Sequence, residues 1–399
     1  MPKKAITISG FLTYYGEDMD SIKTEVSVIL PCLNEEEAIA ICVRKIKEVF
    51  AREHLNGEII VVDNGSTDRS AEIAKSEGAI VVLEPQRGYG SAYLRGLKEA
   101  QGKYFIMADS DNSYDFYDIP RFLNALKEGH ELVMGSRFKG TMKEGAMSWS
   151  HRYIGNPILS GMCRLFFHTR LSDIHCGMRG FTRQAYEKMH LKTPGMEFAT
   201  EMVFSALTYN LKIQEIPIDY HPRTGKSKLS PFFDAWRHVR FMLFYCPLWL
   251  YFIPGGIGLT LGTLLSLFLL KGPFLFMGRY WDIHLMIFAS MLSILSYQVI
   301  NIGVYAHTFG IRQGLLRYDK ITVFFQRLFS LEKGLLLGGI VFLIGFGMII
   351  AIIAEWFSAH FGALDRMRES IFAMTFLTIG LQTIFSSFFI SLLFLERKQ

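Results

Sequence analysis

Two aspartates one residue apart, Asp109 and Asp111, follow the apolar run KYFIM in the stretch MADSDNSYDF at residues 107–116. Aromatic and β-branched residues in such a run make a buried strand. Side chains at i and i+2 of a strand point to one side. Two carboxylates crowded there repel each other unless a cation lies between them. A hard dication such as Mg²⁺ or Mn²⁺ takes oxygen ligands and completes its shell with substrate phosphates. The alternative is a surface turn, where Asp, Asn and Ser are common. The ends of other apolar runs weigh against it: Asn34 and Glu35 follow one, and Asp63 closes another. Acidic strand ends that converge on one sheet edge favour a metal-bound diphosphate, and so a nucleotide-diphosphate substrate whose leaving group the metal stabilises.

The elements that must position these residues alternate. Strands are expected at 26–30, 58–63, 79–83 and 103–108. Ile39, Cys42, Val43, Ile46 and Val49 recur at helical spacing, with Asn34 as a cap and Glu37 three residues on. A turn and second helix follow at 64–78, and a third helix at 91–101. This order predicts a parallel α/β sheet covered on both faces, in which ligands bind beyond the carboxyl ends of the strands. Gly88, Gly90 and Gly96 give a loop that lets a ligand approach closely. No P-loop lysine and serine follow it, which excludes an ATPase of that kind.

The chain has 399 residues, of which 50% are hydrophobic, more than a soluble protein of that size carries. The excess falls after about residue 248. Four stretches, about 248–270, 285–306, 334–357 and 371–395, are long enough to span a bilayer. The net charge of +5 gives no case for nucleic acid. Cys32, Cys42, Cys163, Cys176 and Cys246 are scattered, which suggests neither disulfides nor zinc but a reducing compartment. No signal peptide is read at the N-terminus. Arg312, Arg317, Lys320, Arg327 and Lys333 between the second and third spans place the N-terminal half and the C-terminal tail on the cytoplasmic side. Segments 229–245 and 311–329 mix Arg with large apolar residues and read as helices lying in the interface. The expected organisation is a cytosolic domain over 1–228, an amphipathic juxtamembrane helix over 229–247 and a transmembrane domain over 248–399. It would be an integral protein of the cell membrane, or of the endoplasmic reticulum in a eukaryote. The spans could organise subunits into a homo-oligomer, present a lipid or only anchor the chain.

The segments VSVILPCLNEEEAI, IIVVDNGSTDRS, RGYGSAYLRG, IMADSDNSYD, LVMGSRF, SDIHCGMRGF and HPRTGKSKL occur in this order. Together they resemble the family 2 glycosyltransferases, in particular the dolichyl- or polyprenyl-phosphate sugar transferases, over about residues 25–229. The resemblance implies a Rossmann-like GT-A fold, a nucleotide-sugar donor, a divalent metal and transfer to a lipid phosphate with inversion at the anomeric carbon. It implies that Pro31, Leu33 and Glu35 line the nucleoside pocket, that Asp63 contacts the base and that Ser110 lies beside the donor. Asp109 and Asp111 become the DxD pair on metal and diphosphate. Arg137, Arg152 and Asn156 go to the acceptor phosphate; Asn156 stands where the family has serine. Asp173, Gly177 and Arg179 match an architectural D-x-x-x-G-x-R stretch. Arg223, Gly225, Ser227 and Lys228 match the R-x-x-G-x-S-K motif at the donor phosphates. Ser113 departs from the Gln or Asp often found two residues past the second aspartate. The implied catalytic set is Asp111, Arg137 and Arg223.

The chemistry needs no base. A phosphate monoester has a second pKa of about 6, so the acceptor oxygen is already anionic. Arginines position it through paired hydrogen bonds, and the rate comes from orientation and electrostatics. Glu197 and Glu201 share a helical face, either near the site or as a solvated acidic surface. His175 and His221 read as structural. UDP-glucose or GDP-mannose is the favoured donor. One rival is a processive polysaccharide synthase, but no QxxRW motif precedes the spans. The other is a scaffold that binds a nucleotide sugar without chemistry, against which the complete DxD and R-x-x-G-x-S-K motifs stand.

Overall fold

The computed structural model describes residues 24–167, 169–225, 231–312, 316 and 331–394. The chain divides into two compact units, Met1–Met242 and Leu243–Gln399.

The first unit is built on β1 (Val26–Cys32), α1 (Ile39–Arg52), β2 (Gly57–Asp63), α2 (Ser70–Ser76), β3 (Ile80–Leu83), α3 (Tyr89–Glu99) and β4 (Tyr104–Met107). Then follow α4 (Ile119–Lys127), β5 (Leu132–Ser136), α5 (Asn156–Phe167), β6 (Arg179–Thr182), α6 (Arg183–Met189), α7 (Phe198–Thr208), β7 (Ile213–Pro217) and α8 (Pro231–Tyr245). The seven strands form one sheet in the order β3-β2-β1-β4-β6-β5-β7. The alternation expected over the first four strands is present, and β1 pairs in parallel with both β2 and β4. The sheet is not wholly parallel. Strand β6 runs antiparallel to β4 and to β5. Because only β6 is reversed, the carboxyl ends of the other six strands share one edge, and β6 enters from that same edge. The core explains the period of α1: Ile39, Cys42, Val43, Ile46 and Val49 are its buried face, packed with Val28, Leu30 and Val61 of the sheet.

Two local expectations are corrected. Asn34 does not cap α1, whose cap position is Ala38, without a side-chain bond. Asn34 sits in the left-handed region (φ 52°), and its Oδ1 accepts from the Thr67 amide at 2.7 Å. It thereby ties the turn after β1 to the turn after β2. Asp109 and Asp111 are also not strand residues. Strand β4 ends at Met107, and the acids lie in a turn that Asn112 (φ 62°) reverses.

The second unit carries four helices long and apolar enough to cross a membrane: Leu248–Leu270, Ile283–Arg312, Leu331–Ser358 and Met367–Leu393. They contain α9 (Ile253–Leu270), α10 (Ile283–Arg312), α11 (Leu331–Ser358) and α12 (Met367–Phe394). A two-stranded hairpin, β8 (Phe274–Phe276) and β9 (Arg279–Trp281), connects α9 to α10. Without a hydrophobic drive between helices in lipid, small residues and buried hydroxyls hold such a bundle. A Cβ on Gly338 would lie 2.9 Å from the Gly380 carbonyl oxygen, and one on Gly345 2.7 Å from that of Ala373, so α11 and α12 meet backbone to backbone. Helices α10 and α12 are joined by Ser290–Thr375 at 2.6 Å, Tyr297–Thr383 at 2.5 Å and Tyr305–Ser386 at 2.7 Å. The five cysteines are free and buried. Of the two interface helices expected, α8 falls within the first, and the greater part of segment 311–329 lies outside the described residues.

Candidate active site

The site is made of turns that leave one edge of the sheet. Pro31, Leu33 and Glu35 lie at and just beyond the end of β1, Asp63 ends β2, and Asp109–Asp111 follow β4. Arg137 follows β5, Asp173 and Gly177 precede the entry of β6, and Arg223 follows β7. The hydroxyl of Ser110 donates to the Pro31 carbonyl at 2.6 Å, which fixes the acidic turn to the end of β1. The segment after β7 is laid over the same turn by backbone bonds, from His221 N to the Ser113 carbonyl and from Thr224 N to that of Asp111, both 2.9 Å.

Each acid is held differently. Asp111 is 8% exposed, and its Oδ1 accepts from the Ser113 amide at 3.0 Å and the Ser113 hydroxyl at 2.5 Å. Ser113, which looked like a departure, therefore orients Asp111. Asp109 accepts from the Tyr89 hydroxyl at 3.1 Å. Its carboxyl is pushed up to about 7, first by burial and then by the charge of Asp111, against the lesser pull of Arg137 and Arg223. Arg223 lies between acids from two turns: its Nη2 is 3.3 Å from Glu35 Oε1 and 3.5 Å from Asp111 Oδ2. Its Nε is buried and has no hydrogen-bond partner among the described residues. Asp63 accepts from the Ser66 amide at 2.9 Å and is 8% exposed.

The residues fit a hard dication. The adjoining groups are oxygen donors, and the repulsion that lifts Asp109 is what a bound cation would relieve. Among the described residues no group of three or more His, Cys, Asp or Glu is placed to hold a metal. Two carboxylates completed by substrate oxygens is the usual Mg²⁺ arrangement.

The arginines divide. Arg137 is 7% exposed, and its Nε and Nη2 grip Asp173 at 2.7 and 2.8 Å. Its guanidinium also stands 5.2 Å from the centre of the Tyr220 ring. Arg179 is fully buried and donates to the carbonyls of Cys176, Ala199 and Ile174 at 2.6–2.9 Å, an architectural role. Arg152 and Asn156 are not brought to the acids by any contact among the described residues. Arg152 lies over the Tyr153 ring, and Asn156 Nδ2 is 3.4 Å from Met147 Sδ. Ser227 and Lys228 lie outside the described residues. Glu201 is not a solvated face: it is 3% exposed and accepts from the amides of Lys192 and Thr193. His175 is buried beside His238, their ring centres 4.3 Å apart, and burial holds it well below the usual histidine value.

Tyr89, Ser113, Tyr114 and Asp173 carry the site without having been singled out as ligands. Tyr89 had a signal, its place between the two glycines of RGYGS. Asp173 and Gly177 had theirs only through the resemblance. Gly177 is needed for space: a Cβ there would lie 2.6 Å from Asp109 Oδ2 and 2.9 Å from the Tyr114 hydroxyl, which accepts from Gly177 N at 2.7 Å. Gly177→Ala should keep the fold, displace Asp109 and lower kcat/KM by about 10²-fold, since such losses follow misplacements of about 1 Å. Steady-state kinetics beside a melting curve would check it; unchanged kinetics would mean that Asp109 tolerates displacement.

The raised Asp109 value has a consequence for pH. A carboxyl whose folded value exceeds its unfolded one favours folding below the unfolded value, and that contribution is lost as pH rises through about 7. Asp109→Asn, which removes the charge, should therefore raise the melting temperature of the metal-free protein at pH 8. The gain should be smaller at pH 5 and vanish only below about 4, the unfolded carboxyl value. An equal gain at both pH values would show that Asp109 is not the titrating group.

Two family models match the chain. Residues 27–189 match "Glycosyl transferase family 2", and residues 304–394 match "Glycosyltransferase family 2 C-terminal transmembrane region". The low-salt glycan biosynthesis hexosyltransferase Agl6 of Haloferax volcanii is 38% identical over 383 residues, 95% of this chain and 91% of that protein. The dolichyl-phosphate hexose transferase of the same organism is 27% identical over 208 residues, 52% of this chain and 88% of its own. A crystal structure of glucosyl-3-phosphoglycerate synthase from Mycobacterium tuberculosis aligns with 56% of this chain and 80% of its own, at 22% identity and a TM-score of 0.46. With a relative matched along nearly its whole length and both family regions in place, the chain belongs to glycosyltransferase family 2 and is a membrane-bound glycosyltransferase.

Proposed function

We infer that this enzyme moves a hexose from a nucleotide-diphosphate sugar, UDP-glucose or GDP-mannose, to the phosphate of a polyprenyl or dolichyl lipid on the cytoplasmic side of the membrane. The observation that carries the reading is Arg223 suspended between Glu35 and Asp111. One cation joins the turn assigned to the nucleoside to the turn assigned to the diphosphate.

In this reading Pro31, Leu33, Glu35 and Asp63 hold the nucleoside. Ser110 keeps the acidic turn against β1, and Ser227 and Lys228 complete the donor-phosphate contacts. Asp109 and Asp111 would hold Mg²⁺ or Mn²⁺, which supplies Lewis-acid neutralisation of the departing diphosphate. Ser113 and Tyr89 set the two carboxylates in advance, so less reorganisation accompanies binding. Arg223 leaves its carboxylates for the donor phosphates as these arrive. Arg137, with Arg152 and Asn156, receives the acceptor phosphate. That phosphate, already anionic, attacks the anomeric carbon from the face opposite the leaving group. A carbon–oxygen bond forms to the lipid phosphate, the bond to the diphosphate breaks, and the nucleoside diphosphate leaves with the electron pair. The configuration inverts, and no side chain need take a proton.

The relative whose name specifies a dolichyl-phosphate hexose transferase supports the acceptor class, as do four helices long and apolar enough to cross a membrane. The test is transfer by purified protein in detergent with a polyprenyl phosphate. Labelled UDP-glucose, GDP-mannose and UDP-N-acetylglucosamine are offered in parallel, with Mg²⁺ or with EDTA. Metal-dependent label in the organic phase from one donor is expected. Label in a water-soluble polymer would point to a synthase, and none from folded protein with any donor would reject the reading.

A further inference from the structure

A buried threonine joins two buried histidines from different elements. The Thr200 hydroxyl of α7 lies 2.8 Å from Nδ1 of His238 on α8 and 3.5 Å from Nε2 of His175, in the segment before β6. The two histidine rings meet edge to face, their centres 4.3 Å apart. Thr200 is fully buried and His238 is 7% exposed. One turn further along each helix the contact is apolar: Phe204 stacks on Phe241 at 6.1 Å, and Met242 is fully buried.

Chemistry gives this chain of hydrogen bonds a direction. Burial keeps His175 neutral at pH 7, so one ring nitrogen donates and the other accepts. Its Nδ1 is buried and has no hydrogen-bond partner among the described residues. Orphaned buried N–H groups are rarer than orphaned acceptors, which puts the proton on Nε2. That N–H donates to the Thr200 hydroxyl, and the hydroxyl donates to Nδ1 of His238.

The His175 end is the firm one. Asp173 grips Arg137, Arg179 donates to the carbonyls of Ile174 and Cys176, and Gly177 N donates to the Tyr114 hydroxyl. The apolar contact of α8 with α7 is non-directional, and the bond to His238 gives it a register. Connectivity carries that register toward the acidic turn. Thr224 N donates to the Asp111 carbonyl at 2.9 Å. Residues 225–230, Ser227 and Lys228 among them, join this anchor to the start of α8 at Pro231. A short segment tied at both ends has fewer conformations to lose when it meets a ligand.

We propose that Thr200, with the two histidines it joins, is a positioning device: it fixes α8 on α7 and so holds Ser227 and Lys228 ready for the donor diphosphate. This role rests on the donor-phosphate reading of those two residues.

Thr200→Val keeps the shape of the side chain and removes the hydroxyl, whereas Thr200→Ser keeps the hydroxyl. In the transfer assay Thr200→Val should raise the KM for the nucleotide sugar about tenfold, the worth of one oriented hydrogen bond. The KM for polyprenyl phosphate should not change, and Thr200→Ser should restore the parent value. Hydrogen–deuterium exchange of the full chain in detergent, without substrate, should quicken over α8 in Thr200→Val and stay slow over α1. Unchanged exchange over α8 would overturn the brace whatever the kinetics give. Faster exchange with a parent-like KM for the nucleotide sugar would overturn its link to the donor. Equal rises in both KM values, or a Thr200→Ser that behaves like Thr200→Val, would mean a general loosening and overturn the positioning role. Calorimetric binding of UDP and GDP with Mg²⁺ repeats the donor test without turnover, so a failure of the transfer reading is told apart. A Kd raised about tenfold in Thr200→Val supports the proposal, and an unchanged Kd overturns it.

Discussion

Asp111→Asn should lower turnover by about 10³-fold while the protein stays folded. The estimate follows from the several kcal/mol that a bound dication contributes to a developing negative charge, at about 1.4 kcal/mol per tenfold. Asparagine keeps the size of the side chain and one oxygen for Ser113, whose hydroxyl lies 2.5 Å from Asp111 Oδ1. What is lost is the charge beside Asp109 and beneath Arg223. The substitution has a second, independent readout. Asp111 is the largest charge contribution raising Asp109, so removing it should lower the Asp109 value from about 7. The pH dependence of metal-free stability should move to lower pH with it. Ser113→Ala removes one oriented hydrogen bond and should cost only about tenfold, in line with about 1 kcal/mol for such a bond. Activity of Asp111→Asn above a tenth of the parent, with metal still required, would sink the assignment of this acidic turn to the diphosphate.

The first four strands were legible because each is a short apolar run followed by a helix of clear period, and α1 buries the five residues that the period selects. Strand β6 was not. It is four residues, RGFT, whose glycine offers no side chain to a pattern, and its antiparallel place between β4 and β5 depends on partners far off in sequence. Asp109 and Asp111 were singled out for their shared strand face, yet they sit in a turn. The repulsion argument survives because it needs only proximity, not a pleat. Asn34 shows the limit of local rules: a cap signature was present, but Thr67, 33 residues away, took the side chain. Likewise nothing local in GSRF says that Arg137 will meet Asp173. Side-chain pairs across a sheet edge are decided by topology, and topology was the part read least completely.

Arg137 and Asp173 yield the largest expected effect on stability. Both are nearly removed from water, with side chains 8% and 0% exposed, and two parallel hydrogen bonds join them. The Asp173 carboxylate also accepts from the Arg137 amide at 3.2 Å. Removing one partner of such a pair strands a buried charge and costs about 3–5 kcal/mol. Arg137→Met should therefore lower the melting temperature sharply, and Asp173→Asn should do so with the arginine left in place. Loss of activity in either variant alone would then say nothing about the acceptor. The double variant Arg137→Met with Asp173→Leu separates the roles, because replacing both members of a buried ion pair by apolar groups of similar volume is often neutral or stabilising. If Arg137 only holds Asp173, the double variant should recover stability and transfer together. If Arg137 also receives the acceptor phosphate, the double variant should melt near the parent yet show a raised KM for lipid phosphate and a kcat/KM down by about 10²-fold, the worth of a charge-assisted contact. The geometry favours the second outcome. The Asp173 grip on Nε and Nη2 leaves Nη1 outside that fork, and Asp173 fixes the guanidinium on Tyr220, beside the acidic turn. A double variant with parent-like stability and parent-like KM for the lipid would remove Arg137 from the acceptor site and leave it a structural residue.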